Sequence, residues 1–285
     1  MFDTLSRSWN LTKRSFSVID KDKEMLLFAL IGGLLSIGWI FAMLWPFVSL
    51  AIAEGVEQVE MTAIEWALTF VLYLGLSFIG TFTKVCITYT TKVRFEGGDA
   101  TFGESIRFAF ARLGQIIGWA LIRATFGMLL FALRQLAEKL GAIGKIIVRM
   151  IEGALGGLWD ILTAFVVPAM VYEGVGPTDA FRRSAGLFKK TWGESLVKNI
   201  GFGWMQSLSI IGVTLTGFGL LSVFNSPPMV WLPVGFLVFG YVGVALLFSV
   251  ASSVYDTALY VYATRNEVVG YDPELISGAY APKPE

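Results

Sequence analysis

From Asn199 to Tyr255 the chain runs for 57 residues without one charged side chain. The hydrocarbon core of a bilayer is about 30 Å thick, and about 20 helical residues cross it. No soluble core needs such a stretch, and a single helix cannot use all of it. Asn225-Ser226-Pro227-Pro228 divides the run, because paired prolines end a helix. The run therefore predicts two spans, 199–224 and 229–257.

The other charge gaps extend the count. Met25 to Ala53 is a second uncharged run, and Trp66 to Thr83 a third that extends past Lys84 to Thr91. Leu113 to Leu133 and Gly153 to Tyr172 are each long enough to cross, and each carries one charge near its middle, Arg123 and Asp160. Hydrophobic residues make up 55% of the chain and charged ones 15%, against about 25% in soluble domains. The expectation is an all-α, polytopic transmembrane helix bundle of six spans, forming a single integral membrane domain over 1–285. The first apolar run is too long for the core of a signal peptide and begins after two dozen mixed-charge residues.

Several chemistries are excluded. Histidine is absent and Cys86 is the one cysteine. Imidazole catalysis, a Cys/His zinc site, haem held by histidine and an intrachain disulfide are all ruled out. No cofactor or metal is expected. Lysine plus arginine is 22 and aspartate plus glutamate is 22, so bulk charge argues against nucleic acid as a partner.

Orientation follows from lysine and arginine alone. Arg7, Lys13, Arg14, Lys21 and Lys23 precede span 1, and Lys92, Arg94, Arg107 and Arg112 lie between spans 2 and 3. Arg182, Arg183, Lys189, Lys190 and Lys198 lie between spans 4 and 5, and Arg265 and Lys283 follow span 6. The opposite side has basic residues only in the 3–4 connection, at Arg134, Lys139, Lys145 and Arg149. Both termini are expected in the cytoplasm, with the protein in the plasma (inner) membrane of a prokaryote.

An internal repeat is legible. Arg183, Ser184, Leu187, Lys189 and Lys190 match Arg7, Ser8, Leu11, Lys13 and Arg14 at an offset of 176, and apolar Phe181, Ala185 and Trp192 match Leu5, Trp9 and Phe16. The apolar positions fall on one helical stripe. Thr101-Phe-Gly-Glu104 offers a capping box for a third such helix, with a stripe of Ile106, Phe110, Leu113 and Ile117. Phe95-Glu-Gly ahead of it parallels Tyr172-Glu-Gly ahead of the 178–192 helix. The reading is three repeats of an amphipathic interfacial helix plus a transmembrane hairpin: about 1–95, 96–173 and 174–268, with a short tail at 269–285. Arg7, Lys13, Arg14, Arg182, Arg183, Lys189 and Lys190 would face lipid headgroups at the interface. Such a basic collar either fixes the depth of the hairpins or recruits lipid or a partner.

The segment Val167-Pro168-Ala-Met-Val-Tyr172-Glu-Gly-Val-Gly-Pro177-Thr-Asp-Ala-Phe-Arg-Arg-Ser184, with Lys190-Thr-Trp192-Gly, resembles the signature of a prokaryotic family of uncharacterised six-span integral membrane proteins. It is also similar to the membrane domain fused to some glycerophosphodiesterases and to YciC-like inner-membrane proteins. The resemblance covers roughly 155–200 and implies the fold. The phosphodiesterase chemistry of the fused proteins belongs to a separate soluble domain, which is not expected here.

Ionisable groups inside a span cost roughly 2.5–3.5 kcal/mol each and so call for a reason. Lys84, Arg123, Asp160 and Asp256 form the candidate intramembrane polar site. At about 1.5 Å per residue, Arg123 stands about 17 Å from Arg112 and Asp160 about 20 Å from Glu173. Antiparallel neighbours would bring them to nearly one depth. Buried ion pairs that set helix register explain the four charges without a ligand. A polar site for an ion, a headgroup or a small solute explains them as well, and Lys84 and Asp256 can snorkel. Pro46 and Pro168 should kink spans 1 and 4.

An enzyme is the least favoured reading. Asp160 and Asp256 both follow aromatic residues in separate spans, as a two-aspartate intramembrane hydrolase would need. Gly-x-Gly-Asp is missing, and the cations Arg123 and Lys84 argue against a shared proton. Cys86 reads as an inert packing residue. The 3–4 connection reads as two long helices past the outer surface, interrupted at Gly141 and Gly144, able to pack on a neighbouring subunit or lie on headgroups. The acidic 1–2 connection (Glu54, Glu57, Glu60, Glu65) reads as a solvated face. Two functions are carried: a non-enzymatic, channel- or transporter-like protein handling a lipid or small solute at the charged site, or a scaffold whose interfacial helices organise lipid or a partner. Membrane lipids are the expected partners. Gly32-Gly33 and Gly153-Ala-Leu-Gly156-Gly157 leave a homo-oligomer open.

Overall fold

The structure is a computed structural model that describes residues 22–54, 62–224, 226 and 229–265, with the side chains of 46–47, 50–54 and 189–202 left aside. Arg7, Lys13, Arg14, Glu57, Glu60, the 225–228 break apart from Ser226, and the tail lie outside the described residues, as do the side chains of Pro46, Glu54, Lys189 and Lys190.

The described residues form eight helices: α1 (Glu24–Glu54), α2 (Ala63–Phe95), α3 (Phe102–Ala111), α4 (Leu113–Lys139), α5 (Gly141–Thr163), α6 (Val166–Glu173), α7 (Pro177–Val223) and α8 (Trp231–Arg265). No strand occurs among them. Six spans are long and apolar enough to cross a bilayer: Glu24–Trp45, Ala63–Phe95, Leu113–Lys139, Gly141–Glu173, Gly203–Val223 and Trp231–Arg265. The chain is an all-α, six-span membrane protein.

The helix ends follow local chemistry. Thr62 and Glu65 form a reciprocal cap at the start of α2, with the Thr62 N–H donating to Glu65 Oε2 at 2.6 Å and the Glu65 N–H donating to Thr62 Oγ1 at 3.3 Å. Glu65 thus belongs to a capping box rather than to the solvated acidic face expected of it. Thr101 and Glu104 make the expected box at α3, satisfying two backbone donors that a helix start leaves open. Gly97 after α2 and Gly174 after α6 both adopt left-handed backbone, at φ +84° and +70°. Glycine does this without steric cost, and the turn ends a helix sharply. Both Phe95-Glu-Gly and Tyr172-Glu-Gly end their helices in this way.

Two expectations change in detail. The stretch 178–192 and the span after it form one uninterrupted helix, α7, since no proline falls between Pro177 and Pro227 and isolated glycines only weaken a helix. The stripe Ile106–Phe110–Leu113–Ile117 does not lie on one helix, since α3 ends at Ala111 and α4 begins at Leu113; Phe110 and Ile117 are exposed while Ser105 and Ala109 are fully buried. Lipid is as apolar as leucine, so small residues that allow close approach take the helix contacts. Pro46 lies within the continuous helix α1, whereas the chain breaks its helix at Ala164–Phe165, one turn before Pro168.

The chain divides into two compact units. The first comprises Met1–Ala29, Thr90–Asp99 and Leu187–Glu285. In it Arg94 donates from Nε and Nη2 to the two carboxylate oxygens of Asp22, and Nη2 also reaches Asp99 at 2.8 Å. The antiparallel α7 and α8 meet where Leu237 covers Gly217 and Val213 covers Gly240, with Thr214 Oγ1 and Tyr241 OH 2.8 Å apart. The second unit comprises Leu30–Tyr89 and Ala100–Gly186. There Trp39 packs over Gly75 and donates Nε1–H to the Leu72 carbonyl at 3.3 Å. Tyr73 packs against Gly127, and Phe131 receives both Trp66 and Tyr73. The short α3 docks on α2 through a Tyr89–Phe108 stack at 4.2 Å and a Cys86 Sγ–H to Ser105 carbonyl contact at 3.6 Å.

Candidate functional site

Arg123 on α4 and Asp160 on α5 lie close enough for electrostatic attraction. The two helices run antiparallel from a one-residue reversal at Leu140, followed by Gly141 at φ +70°. Arg123 follows Trp119 by four residues and precedes Phe126 by three, so the three share one helical face. Against that face stands Trp159, the residue before Asp160. Its ring stacks on Phe126 at 4.0 Å and lies parallel to Trp119 at 6.0 Å, and Phe181 of α7 closes the cluster at 5.9 Å from Trp159. Trp119 is buried, whereas Arg123 and Asp160 are exposed at the surface of the chain. The arrangement is two opposite charges within electrostatic reach of one another, both exposed on the chain, beside a cluster of four aromatic rings.

The other two charges are placed differently. Lys84 is half-buried on α2 in the same unit as Arg123 and Asp160. It lies on a helical stripe with Ser77, Thr81, Thr88 and Thr91, of which all three threonines are buried. Asp256 on α8 belongs to the other unit and is 2% exposed, beside buried Ser253 and Thr257.

Pro168 does break its span, and the break is closed from outside. Between α5 and α6 the Phe165 N–H donates to Ser184 Oγ at 3.1 Å, and Ser184 O–H donates to the Leu162 carbonyl at 2.5 Å. One buried hydroxyl on α7 thus replaces two backbone hydrogen bonds that a continuous helix would have made. The α6 terminus is held in turn. Arg112 donates to the Met170 carbonyl at 3.0 Å, Gln115 donates to the Gly174 carbonyl at 2.7 Å, and the Arg112 guanidinium lies 4.5 Å from the Phe108 ring centre. A cation there complements the negative end of the helix. Burial lowers the Arg112 pKa from its ordinary value. The roles of Ser184 and Arg112 were not read from sequence; the proline marked the break, but nothing in a linear pattern says which helix supplies the hydroxyl.

Of the expected interfacial cations, Arg182 and Arg183 are exposed, and both have acidic neighbours: Arg182 pairs with Asp179 at 3.5 Å and Arg183 with Glu173 at 3.1 Å. At the α4–α5 reversal a cavity of about 250 Å³ is lined by Arg134, Glu138, Lys145, Arg149 and Glu152 over Ala137 and Val148.

A comparison with the curated proteins gives no match. Residues 63–270 match the sequence profile of DUF6159, a family of unknown function. That range takes in five of the six spans, the opposite charges beside the aromatic cluster and the Ser184-closed break, and the chain belongs to this family.

Proposed function

We propose that this is a non-enzymatic integral membrane protein, channel- or transporter-like, that handles a lipid or small solute at a charged site inside the bilayer centred on Arg123 and Asp160. The supporting observation is that these opposite charges, Arg123 about 17 Å from Arg112 and Asp160 about 20 Å from Glu173 and about 12 Å from Glu152 at 1.5 Å per residue, are open at the surface of the chain rather than sealed within it. A charge at that depth needs cover, and a polar ligand or headgroup supplies it on the open side. Lys84 and Asp256 are further intramembrane charges outside this centre. Membrane lipids are the natural partners. The distribution of lysine and arginine supports a plasma-membrane setting in a prokaryote with both termini cytoplasmic, and the repeat pattern supports a threefold origin of the bundle.

A scaffolding role is the second reading, favoured by the close stack of Trp119, Phe126, Trp159 and Phe181 beside the pair. One experiment separates them. Arg123→Leu leaves Asp160 uncompensated and should express poorly, while Arg123→Leu/Asp160→Leu should recover expression. Reconstituted into vesicles and assayed for lipid scrambling and ion flux, a recovered double variant lacking wild-type flux supports the site. A double variant with full flux, or a wild type with none, sinks it in favour of the scaffold.

A further inference from the structure

The cavity at the α4–α5 reversal carries more positive charge than its own contacts neutralise. Its wall sets three cations, Arg134, Lys145 and Arg149, against two carboxylates, Glu138 and Glu152. Arg134 donates to both oxygens of Glu152, at 3.1 and 3.2 Å, and Lys145 meets Glu138. Each carboxylate is thereby matched to one cation. Arg149 is left over, exposed and with no acceptor among the described residues. Its planar fork fits the paired oxygens of a carboxylate or phosphate.

The surroundings strengthen that charge. Ala137 and Val148 form a buried apolar floor, and a cation beside low-dielectric walls attracts an anion more strongly than one free in water. A cavity of about 150 Å³ already holds a benzene ring. This one, at about 250 Å³, admits an anionic group together with several carbons.

Depth places the cavity toward water. Counted from Arg112 and Glu173 at about 1.5 Å per residue, Arg134 and Glu152 stand at about 33 and 32 Å, Arg149 at about 36 Å and Lys145 at about 42 Å. The hydrocarbon is about 30 Å thick, and headgroups add roughly 5–7 Å on each side. The cavity therefore begins at the edge of the hydrocarbon, and its Lys145 end clears the headgroups. Its apolar lining is confined to the two floor residues, which leaves a lipid tail nowhere to lie. The ligand that suits it is dissolved.

We propose that this cavity binds a small dissolved oxyanion, an organic carboxylate or phosphate of a few carbons. Its anionic group would sit on Arg149 with Lys145 beside it, and its carbons over Ala137 and Val148. The site is distinct from the Arg123–Asp160 centre and does not depend on it.

The test uses the full chain in a non-ionic detergent, with binding read by ligand-observed NMR. The probes are butyrate, the neutral isostere butyramide, glycerol phosphate and short-chain phosphatidylglycerol. Butyrate should bind and butyramide should not. Arg149→Gln should weaken butyrate about tenfold, the lower end of what a hydrogen bond to a charged group contributes. Arg149→Lys keeps the charge without the fork and should fall between. Glu138→Gln removes a carboxylate and releases Lys145, so it should strengthen binding several-fold, and it keeps the proposal open to refutation if Arg149→Gln folds poorly. Equal binding of butyrate and butyramide, wild-type affinity in Arg149→Gln, or no gain in Glu138→Gln overturns the site. Loss of butyrate binding in Arg123→Leu/Asp160→Leu assigns it to the intramembrane centre and overturns the cavity. Displacement of butyrate by phosphatidylglycerol but not by glycerol phosphate assigns the cavity to a lipid and overturns the dissolved anion.

Discussion

Replacing Ser184 with alanine removes one oxygen and should be felt in the middle of a span on another helix. The hydroxyl accepts from Phe165 N–H and donates to the Leu162 carbonyl, and the residue is fully buried. Leu162 and Phe165 lie 11 and 8 residues from Glu173, about 17 and 12 Å by the helical rise, where water does not reach. Two backbone groups would be orphaned together. Side-chain hydrogen bonds between membrane helices average about 0.6 kcal/mol, which gives a floor near 1 kcal/mol, while unsatisfied buried groups cost about 1–3 kcal/mol each. We expect a loss of about 2 kcal/mol. The decisive step is a double-mutant cycle with Pro168→Ala. Proline prevents α5 and α6 from merging; with alanine there, the segment can make its own i to i−4 bonds, and Ser184→Ala should then cost less by about 1 kcal/mol or more. Unfolding in mixed micelles of rising SDS content, read by tryptophan fluorescence, measures all four species. A Ser184→Ala loss below about 0.5 kcal/mol, or strict additivity with Pro168→Ala, would refute the idea that this hydroxyl closes the break.

Other outcomes follow from the same geometry. Gly174→Ala and Gly97→Ala both force a side chain into left-handed backbone, at roughly 1 kcal/mol; Gly174→Ala should cost more, because its Cβ would stand 3.3 Å from Arg112 Nη1 while Gly97 has open space, and the same SDS titration ranks them. Hydrogen bonds from the Thr101 backbone and hydroxyl hold the Glu104 carboxyl below its ordinary value of 4.5. Its folded pKa is depressed, so its stabilisation is present above the unfolded value and is lost as pH falls below 4.5 through the folded value. Glu104→Gln should flatten that part of the acid-stability profile.

Much of the architecture is legible in charge spacing. The 57-residue run and its prolines, the gap from Met25 and the isolated charges Arg123 and Asp160 each mark a span that the structure contains. Thr101 and Glu104 announce a helix start, and Gly141 the reversal, whereas Gly144, expected to interrupt the connection as well, lies inside the continuous helix α5. Thr62 and Glu65 carried the same capping signal, but among four glutamates it read as a solvated connection. Less legible was which side of each helix turns inward. Ile106 and Phe110 read as the apolar face of an interfacial helix, but nothing in the pattern says that Ser105 and Ala109 are the residues buried against the rest of the chain.

The linear order of charges, prolines and glycines settles that this polypeptide crosses a bilayer six times as helices, because the cost of an unbonded backbone or a stray charge in hydrocarbon leaves no other choice. Only the folded chain decides that Ser184 closes the gap ahead of Pro168, that Arg112 and Gln115 hold the end of α6, and that Trp159 lies between Trp119 and Phe126 beside two exposed, opposite charges. Within lipid, apolar surface exerts no preference for inside over outside, so contacts among helices are chosen by shape and by a few polar partners far apart in sequence.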